Sequence, residues 1–307
     1  MTKVFIDGSA GTTGLRIRER LANRKDIELL VLPEETRKDP SARAEALNTA
    51  NVSFLCLPDA AAVEAASFVT SPDAVVIDTS TAHRVAEGWT YGMPELAGQR
   101  EKLRIAKRIA NPGCHATGFI SLVAPLVAAG LINRDARLSC FSLTGYSGGG
   151  KKMIAEYEAP EMDPLYQAPR QYALGQVHKH LPEMAKICGL EHAPVFSPIV
   201  APYYAGMEVT VPLTPAESSA SPEEIREVYR SYYRSGVIRC AEAPDESGFL
   251  SAGAFAGRDT LEVSVFGNEE RMLLVSRFDN LGKGASGAAI QNMNIALGLE
   301  ESEGLVL

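Results

Sequence analysis

Apolar runs of strand length alternate with helix-like segments over the first part of the chain. Strand-like runs occupy 3–7, 27–32, 52–57 and 74–78. A helix-like segment follows the first run through about Ala22, and another lies at 60–68. Strands and helices that alternate in this way predict a doubly wound parallel sheet with right-handed crossovers.

The pattern changes in the second part of the chain. Strand-like runs recur with no regular helices between them, at 138–145, 194–199, 205–211, 261–266 and 272–276. The last two are joined by a hairpin-like turn at 267–270. Long strand segments of this kind predict an α+β second domain with a mostly antiparallel sheet. We expect 1–113 plus 286–307 to form one domain and 114–285 the other.

Composition narrows the class of protein. With 307 residues, 46% hydrophobic and 22% charged, the chain is that of an ordinary globular protein large enough for two domains. A net charge of −8 argues against general nucleic-acid binding but leaves small anionic substrates open. No apolar run reaches the length of a membrane span, and we expect no membrane partner.

The cysteines and the amino terminus indicate a cellular compartment. Five scattered cysteines form neither a disulfide framework nor a paired metal motif, so no metal is expected. The chain begins directly with a strand-like run and has no signal peptide pattern. We therefore expect a reducing, cytoplasmic location.

A glycine-rich loop follows the first strand and precedes the first helix. It reads Gly8-Ser9-Ala10-Gly11-Thr12-Thr13-Gly14. Glycines in this position let the backbone approach a pyrophosphate, whose charge lies at the helix amino terminus. The spacing is GxxGxxG instead of the commoner GxGxxG, and a tight turn without ligand is the alternative. The context favours a Rossmann-type, dinucleotide-binding domain.

The segment after the second strand helps to choose the dinucleotide. Glu34 and Glu35 could hold a ribose 2′-hydroxyl, as in an NAD site. Arg37 and Lys38 could instead meet a 2′-phosphate, and a solvated charged loop is equally compatible. NADP is modestly favoured as the cofactor.

One cysteine lies at the start of an apolar helix. Pro112 and Gly113 form a turn before Cys114, and apolar residues recur at helical spacing over 119–127. Unpaired amides and the helix dipole favour a thiolate at that position, which makes Cys114 a candidate nucleophile. The remaining cysteines are typical of buried apolar positions: Cys56, Cys140, Cys188 and Cys240.

Two histidines are candidates for the proton-transfer group. His178 and His180 cannot share one helix face, and no further ligands at recognisable spacing complete a metal site. A general base for Cys114 is the better use, because histidine titrates near neutrality. A structural histidine remains the alternative for either one.

Basic residues near strand ends are candidates for anion binding. Arg84 follows the strand 74–78 and could contact a carboxylate or phosphate, or be a surface residue. Lys151 follows a glycine-rich segment, 146–150, which could bind an anion, act as a flap or be a flexible loop.

Four segments in this order resemble the N-acetyl-gamma-glutamyl-phosphate reductase family, and its compact members in particular. They are Gly8–Gly14, Asn111–Cys114, His178–Glu183 and Asp279–Ala285. The segment 80–84 departs from the family pattern, so only Arg84 carries over there. The resemblance implies an oxidoreductase of arginine biosynthesis that binds NADPH, with Asn280 added to the cofactor-binding residues.

The implied reaction reduces N-acetylglutamyl 5-phosphate to N-acetylglutamate 5-semialdehyde and phosphate through a Cys114 thioester. His180 is slightly favoured over His178 as the acid–base group, and Arg84 with Lys151 would bind the substrate. Family members associate through the second-domain sheet, which implies a homo-oligomer, a dimer or tetramer. The alternatives are an acyl-phosphate reductase like aspartate-semialdehyde dehydrogenase, and a non-catalytic nucleotide sensor.

Overall fold

The chain crosses between two structural units after Pro112 and again after Gly284. The computed structural model describes residues 1–234, 236–242 and 245–307. The first unit consists of Met1–Pro112 and Ala285–Leu305, and the second of Gly113–Gly284 with Val306–Leu307. Within the described ranges, no helix is both long enough and apolar enough to cross a bilayer.

The first unit is built on a parallel sheet. Its strands are β1 Thr2–Asp7, β2 Ile27–Leu30, β3 Val52–Leu55, β4 Val75–Asp78, β5 Thr90–Tyr91 and β6 Arg108–Ala110. The order is β2-β1-β3-β4-β6-β5, and each neighbouring pair is parallel. β2 lies on one side of β1, and β3 and the later strands lie on the other, so the direction of the strand order reverses at β1. Ligands bind at such a reversal of strand order, outside the carboxyl end of the central strands.

Helices cover both faces of this sheet. They are α1 Thr12–Leu21, α2 Pro40–Thr49, α3 Asp59–Ser67 and α4 Gln99–Ile105, together with the carboxyl-terminal helix Gly287–Ala296. Val4 and Ile6 of β1 belong to a cluster with α1 and the carboxyl-terminal helix, whereas Phe5 belongs to a cluster with α2 and α3. Successive strand residues therefore face opposite helical layers, which confirms the doubly wound arrangement.

The second unit is built on a mixed sheet. Its strands are β7 Ser139–Gly145, β8 Arg170–Gln171, β9 Val195–Ala201, β10 Met207–Leu213, β11 Ile238–Cys240, β12 Leu261–Asn268 and β13 Arg271–Phe278. The order is β11-β12-β13-β10-β7-β9-β8. The pairs β11/β12 and β7/β9 are parallel, and the others are antiparallel. The predicted mostly antiparallel α+β domain is confirmed.

One face of this sheet carries the helix that begins at the cysteine. The helices of the second unit are α5 Cys114–Ala128, α6 Gly150–Tyr157, α7 Leu181–Cys188 and α8 Pro222–Tyr232. The carboxyl-terminal helix of the first unit, Gly287–Ala296, is α9. A Cβ on Gly118 would lie 2.4 Å from Val209 Cγ2, so α5 packs closely on β10. The hydroxyls of Tyr229 and Tyr233 donate to the carbonyls of Leu122 and Ser121, which fixes α5 beside α8.

Two features of the second domain differ from the sequence interpretation. The segment 146–150, for which a flexible loop was one alternative, forms a 3-10 turn at Tyr146–Gly149 and then begins α6. The left-handed conformation of Gly150, with φ +74°, allows the chain to pass from one helix into the other. Helix α8 also lies between β10 and β11, where strands without regular helices were expected. Its Ser221–Glu224 capping box is a start signal present in the sequence.

Candidate active site

The candidate nucleophile is the first residue of a long buried helix. Gly113 is the N-cap of α5, has extended backbone angles and provides no capping side chain, and Cys114 is half-buried. The first-turn amides and the helix dipole therefore act on the region of the Cys114 sulfur without competition from a cap. This environment favours negative charge there.

A glycine allows the chain to pass close to the cysteine. A Cβ on Gly284 would lie 3.0 Å from the Cβ of Cys114 and 3.1 Å from the carbonyl oxygen of Asp279. A larger residue would force this turn away from Cys114. Gly284, the second glycine of the Asp279–Ala285 segment, thus has a packing reason to be there.

A buried carboxylate links the cysteine turn to one of the two histidines. The Gly113 N–H donates to Glu183 Oε2 at 3.3 Å, and Glu183 is 1% exposed. Glu183 Oε1 lies 3.9 Å from His180 Nε2, and His180 is itself buried. The negative carboxylate can therefore stabilise a positive charge on His180 when that ring takes up a proton.

The other histidine has a defined tautomer. The backbone N–H of His180 donates to His178 Nδ1 at 3.1 Å, so a neutral His178 carries its proton on Nε2. The two rings lie 4.6 Å apart. The described part of the chain contains no cluster of three or more His, Cys, Asp or Glu residues able to hold a metal ion.

The loop that carries these histidines is held in place by a glutamine. Gln176 donates from Nε2 to the Phe196 carbonyl and accepts the Phe196 N–H at Oε1, at 2.7 and 2.9 Å. Its side chain thereby pairs with β9 as a strand backbone would. Ala173 and Gln176 have φ of +52° and +55°, conformations that cost energy for residues with a side chain. The fold holds a strained loop beside the cysteine helix.

A third histidine joins the site, and sequence reasoning missed it. His115 is 3% exposed, and its ring lies 5.6 Å from that of His178 and 5.5 Å from that of His180. Its Nδ1 is hydrogen-bonded to Ser142 Oγ at 2.7 Å and its Nε2 to the Tyr172 hydroxyl at 2.6 Å. Burial, with a smaller contribution from His178, lowers the pKa of His115 to about 3, so the ring is neutral at physiological pH.

The structure therefore brings three predicted residues together within the second unit. The residues on both sides of Cys114 contact the segment that contains His178 and His180, through Glu183 and through the His115 ring. Sequence spacing could not have found Tyr172 or Glu183 as members of this cluster, because their partners are distant in the chain.

The glycine loop belongs to the first unit and shows why each glycine is needed. Gly8 has φ +85°, and a Cβ there would lie 2.3 Å from the Cys56 carbonyl oxygen; a Cβ on Gly14 would lie 2.6 Å from the Gly8 carbonyl oxygen. Gly11 has neither constraint, since its nearest contact would be 3.5 Å. Packing within the protein therefore accounts for the first and third glycines only.

The start of α1 fits an anionic ligand. Gly11 is its N-cap and provides no capping side chain. Thr12 Oγ1 is buried and makes no hydrogen bond within the described residues. A bound pyrophosphate would fit both features, because it accepts hydrogen bonds from the first-turn amides and from a hydroxyl.

The charged residues after β2 are exposed. Arg37 pairs with Glu34 at 2.5 Å, and both side chains are largely in solvent, as is Lys38. Whether the acidic or the basic residues contact the ribose of the cofactor, and with it the modest preference for NADP, thus stays a prediction.

Arg84 has a buried position in the first unit. It is 9% exposed, and its Nε and Nη2 donate to the carbonyls of Asn111 and Thr79 at 3.0 and 3.2 Å. The alternative of a surface arginine is therefore wrong. Arg84 thus holds the backbone at Asn111, the first residue of the Asn111–Cys114 segment, and substrate binding by Arg84 stays a prediction.

The two remaining predicted residues lie in the second unit. Lys151 is exposed on α6. Asn280 is 2% exposed, accepts the Gly206 N–H at 2.9 Å and donates to Ser147 Oγ at 3.0 Å. Its side chain ties the segment after β13 to the turn after β7, and a cofactor contact by Asn280 stays a prediction.

Comparisons with known proteins agree with this architecture. Residues 3–106 match the family model for the semialdehyde dehydrogenase NAD binding domain, and residues 114–280 match the model for the semialdehyde dehydrogenase dimerisation domain. N-acetyl-gamma-glutamyl-phosphate reductase 2 of Nostoc sp. is 44% identical over 99% of both chains. The chain belongs to the N-acetyl-gamma-glutamyl-phosphate reductase family. The N-acetyl-gamma-glutamyl-phosphate reductase of Brucella ovis is 45% identical over 96% of this chain and 99% of the relative.

Solved structures with the same fold carry other names. Aspartate semialdehyde dehydrogenase II of Vibrio cholerae, complexed with ASA, has a TM-score of 0.72 at 18% identity and covers 97% of this chain and 98% of its own. Aspartate semialdehyde dehydrogenase of Candida albicans with NADP has a TM-score of 0.69 at 14% identity, and the match covers 97% of this chain and 99% of that one. At these identities the similarity shows the fold alone.

Family membership confirms the resemblance that four sequence segments carried. Members of the N-acetyl-gamma-glutamyl-phosphate reductase family are oxidoreductases, and an NAD(P)-binding domain of the matched kind contains the glycine loop. The second matched model begins at Cys114, the first residue of α5.

Proposed function

We propose that this protein reduces N-acetylglutamyl 5-phosphate to N-acetylglutamate 5-semialdehyde and phosphate, with NADPH as the reductant, in cytoplasmic arginine biosynthesis. The observation that carries the proposal is the position of Cys114 at the start of α5. At this position the buried Glu183 accepts the Gly113 N–H with one carboxylate oxygen and faces His180 with the other. A nucleophile with a charge-stabilised base beside it suits covalent catalysis on an acyl phosphate.

Cys114 forms and breaks the bonds to the substrate in this reaction. Its thiolate attacks the acyl carbon, the bond from that carbon to the phosphate oxygen breaks, and a thioester remains on Cys114. Backbone N–H groups at the start of α5 hydrogen-bond the oxyanion formed during attack, an effect of roughly 3 kcal/mol per donor. NADPH, held by the first unit, would supply the hydride that reduces this thioester. Collapse of the Cys114 thiohemiacetal releases the aldehyde and returns the thiolate.

His180 is the proposed acid–base group. It takes the thiol proton and returns it to the departing phosphate, while Glu183 stabilises the charged ring. His178 is less suited to accept a proton, because its Nδ1 already accepts the His180 N–H. The Nε2–H of His178 can instead donate a hydrogen bond to a substrate oxygen. Arg84 and Lys151 are the proposed partners of the substrate's negative groups.

The proposed dinucleotide-binding domain is 1–113 plus 286–307, and the proposed catalytic and dimerisation domain is 114–285. These bounds differ by one or two residues from those of the two units. The loop Gly8–Gly14 would hold the pyrophosphate. Two observations support this role: packing within the protein does not require a glycine at Gly11, and the Thr12 hydroxyl is buried without a hydrogen bond within the described residues. Arg37 and Lys38 would meet the 2′-phosphate of NADP, and Asn280 is the further proposed contact.

Replacing Gly11 by alanine is expected to weaken NADPH binding about tenfold or more without lowering thermal stability. A methyl group there makes only ordinary contacts within the protein but occupies space needed by a pyrophosphate. Calorimetric titration with NADPH and a thermal melt measure the two properties. Gly253→Ala, whose Cβ would lie 3.6 Å from Ser251 Oγ, is the matched control. Equal affinity in the Gly11 variant and the native protein would remove the loop from the cofactor site.

The proposed substrate is tested by the reverse reaction. We expect phosphate-dependent oxidation of N-acetylglutamate semialdehyde to be faster than that of aspartate semialdehyde, and faster with NADP than with NAD. Faster turnover of aspartate semialdehyde would assign the protein to the other reductase. Dinucleotide binding without oxidation of either aldehyde would favour a nucleotide sensor.

We further propose that two copies associate through the open face of the second-unit sheet. The face opposite α5 exposes Phe141, Val195 and Leu273 by 47%, 62% and 45%. Phe141 pairs with Thr210 on β10, and Thr210 pairs with Val275 on β13, so these strands present one continuous surface. Apolar side chains this exposed mark an interface, and the matched model is named for dimerisation.

The double variant Phe141→Asp with Leu273→Asp is expected to shift the protein from dimer to monomer. Association through this face would bury two carboxylates without partners, and the cost of removing these charges from water opposes it strongly. Light scattering coupled to gel filtration measures the mass. Leu165→Asp places one carboxylate on another exposed apolar site, 70% exposed and outside the sheet, and should leave the mass unchanged. A dimer that survives the double variant would locate the interface elsewhere.

A further inference from the structure

The ring of His178 lies among four other rings. The distances between centroids are 4.6 Å to His180, 5.2 Å to Phe196, 5.6 Å to His115 and 5.8 Å to Tyr172. Each of the four is inclined to the His178 ring by at least 65°, the edge-to-face arrangement that aromatic rings favour. The position of His178 therefore depends on how firmly its neighbours are held.

Two of these neighbours belong to a hydrogen-bonded chain that the proposed mechanism does not use. Ser142 Oγ on β7 lies 2.7 Å from His115 Nδ1, and His115 Nε2 lies 2.6 Å from the Tyr172 hydroxyl. The backbone N–H of Tyr172 donates to the Pro198 carbonyl on β9 at 3.0 Å. The chain thus links the first turn of α5 to β7 and, through Tyr172, to β9.

Burial decides the direction of the hydrogen bonds in this chain. Ser142 is fully buried, and the partner of its hydroxyl within the described residues is His115 Nδ1, so the hydroxyl donates to that nitrogen. A neutral His115 ring then has its one N–H on Nε2, and this group donates to the Tyr172 oxygen. Both nitrogens of His115 are therefore used to hold its ring.

The loop before His178 is one that needs such support. Ala173 and Gln176 have left-handed backbone conformations, which cost energy for residues with a side chain. Val177 is 87% exposed, so its side chain adds little packing energy beside His178. Contacts of the His178 ring itself, which include the hydrogen bond from the His180 N–H to its Nδ1, oppose this strain.

We propose that His115 and Tyr172 are positioning residues, and that their hydrogen-bonded chain with Ser142 holds the His178 ring with its Nε2–H directed at the substrate. This inference rests on the proposed function, in which His178 donates a hydrogen bond to a substrate oxygen. The His180 N–H keeps Nδ1 of His178 as the acceptor, and the chain fixes two of the rings against which His178 packs.

The first test observes the His178 ring by NMR in the ligand-free protein. The chain has five histidines, so a spectrum of protein with nitrogen-labelled histidine is simple, and His178→Asn identifies the signals of His178. At alkaline pH, where histidine is neutral, we expect the single Nε2–H tautomer. Tyr172→Phe keeps the aromatic ring but removes the acceptor of His115 Nε2–H, so the two His178 nitrogen signals should move toward the average of the tautomers. Native signals in Tyr172→Phe would overturn the inference.

Variants of His115 separate its hydrogen bond from its volume. His115→Leu should displace the His178 signals as Tyr172→Phe does, and His115→Gln, which keeps an N–H donor for Tyr172, should restore them toward their native positions. Equal displacement in the two variants would contradict the role given to the hydrogen bond. Tyr203→Phe is the control: this buried hydroxyl makes no hydrogen bond within the described residues, so its loss should leave the signals in place.

A kinetic test connects the chain to substrate binding. In Tyr172→Phe we expect KM to rise about threefold to tenfold, the effect of weakening one hydrogen bond, with kcat within about twofold of the native value. His178→Asn removes the hydrogen bond to the substrate, so adding Tyr172→Phe to it should raise KM no further. A full additional increase in the double variant would show that Tyr172 acts independently of His178 and would refute the proposal.

The two tests distinguish this inference from the reductase assignment. The NMR spectrum needs neither substrate nor dinucleotide, so displaced His178 signals in Tyr172→Phe would support the positioning role even if neither semialdehyde were oxidised. Conversely, turnover of N-acetylglutamate semialdehyde by a Tyr172→Phe variant with native KM and native His178 signals would leave the proposed function standing and remove the chain from it.

Discussion

Replacing Cys114 by serine is expected to lower the reductase rate by at least about 10⁴-fold, the scale of loss seen when a covalent nucleophile is removed. A serine hydroxyl remains protonated where the start of α5 favours a thiolate, and an oxygen ester is a weaker hydride acceptor than a thioester. The Kd for NADPH should stay unchanged, because the glycine loop lies in the other unit. Steady-state assays and a fluorescence titration with NADPH measure the two effects.

The control for this substitution is Cys240→Ser. Cys240 is half-buried at the end of the short strand β11, and burial raises the pKa of its thiol. Its replacement should leave turnover unchanged. Substantial reductase activity in Cys114→Ser would refute the thioester mechanism, and loss of NADPH binding in that variant would indicate a misfolded protein instead of a missing nucleophile.

Replacing His180 by asparagine is expected to lower kcat/KM about 10²-fold to 10⁴-fold, the usual contribution of a general acid–base group. The low-pH limb of the kcat/KM profile, which reports protonation of the base, should flatten in this variant. His178→Asn should act mainly on KM, because His178 is placed to donate a hydrogen bond to the substrate. The measurement is the pH profile of both variants beside the native enzyme.

The role of Glu183 provides a check on this assignment. Glu183→Gln keeps the shape of the side chain and the hydrogen bond from Gly113 but removes the charge that faces His180. We expect it to lower kcat less than His180→Asn does, with the profile displaced and not flattened. A flattened profile in His178→Asn, with a native-like one in His180→Asn, would reverse the roles of the two histidines.

Local signals in the sequence were sufficient for much of the fold. The first strand, glycine loop and helix could be predicted because each depends on residues next to one another in the chain. The start of α5 could be predicted for the same reason, from a Pro-Gly turn followed by periodic apolar residues. Helix α8 is not predicted, although Ser221 and Glu224 form a capping box, because its segment lies between long strand-like runs.

The glycine-rich segment after β7 shows where composition misleads. Three consecutive glycines are typical of a flexible loop, since glycine loses the most backbone entropy on ordering. In the structure Gly148 and Gly149 lie in a 3-10 turn and Gly150 begins α6, whose last residue, Tyr157, is buried. Packing of the following residues outweighs the local preference of the glycines.

Short segments and their order are enough to predict the two-domain class, the candidate nucleotide loop, the candidate nucleophile at the start of α5 and the family. The side chains near Cys114 could not be predicted in this way, because their partners are distant in the chain. Glu183 meets the Gly113 amide across 70 positions, and His115 meets Ser142 and Tyr172 across 27 and 57. Folding brings these groups into one buried cluster, where desolvation makes each hydrogen bond and charge count more than it would in water.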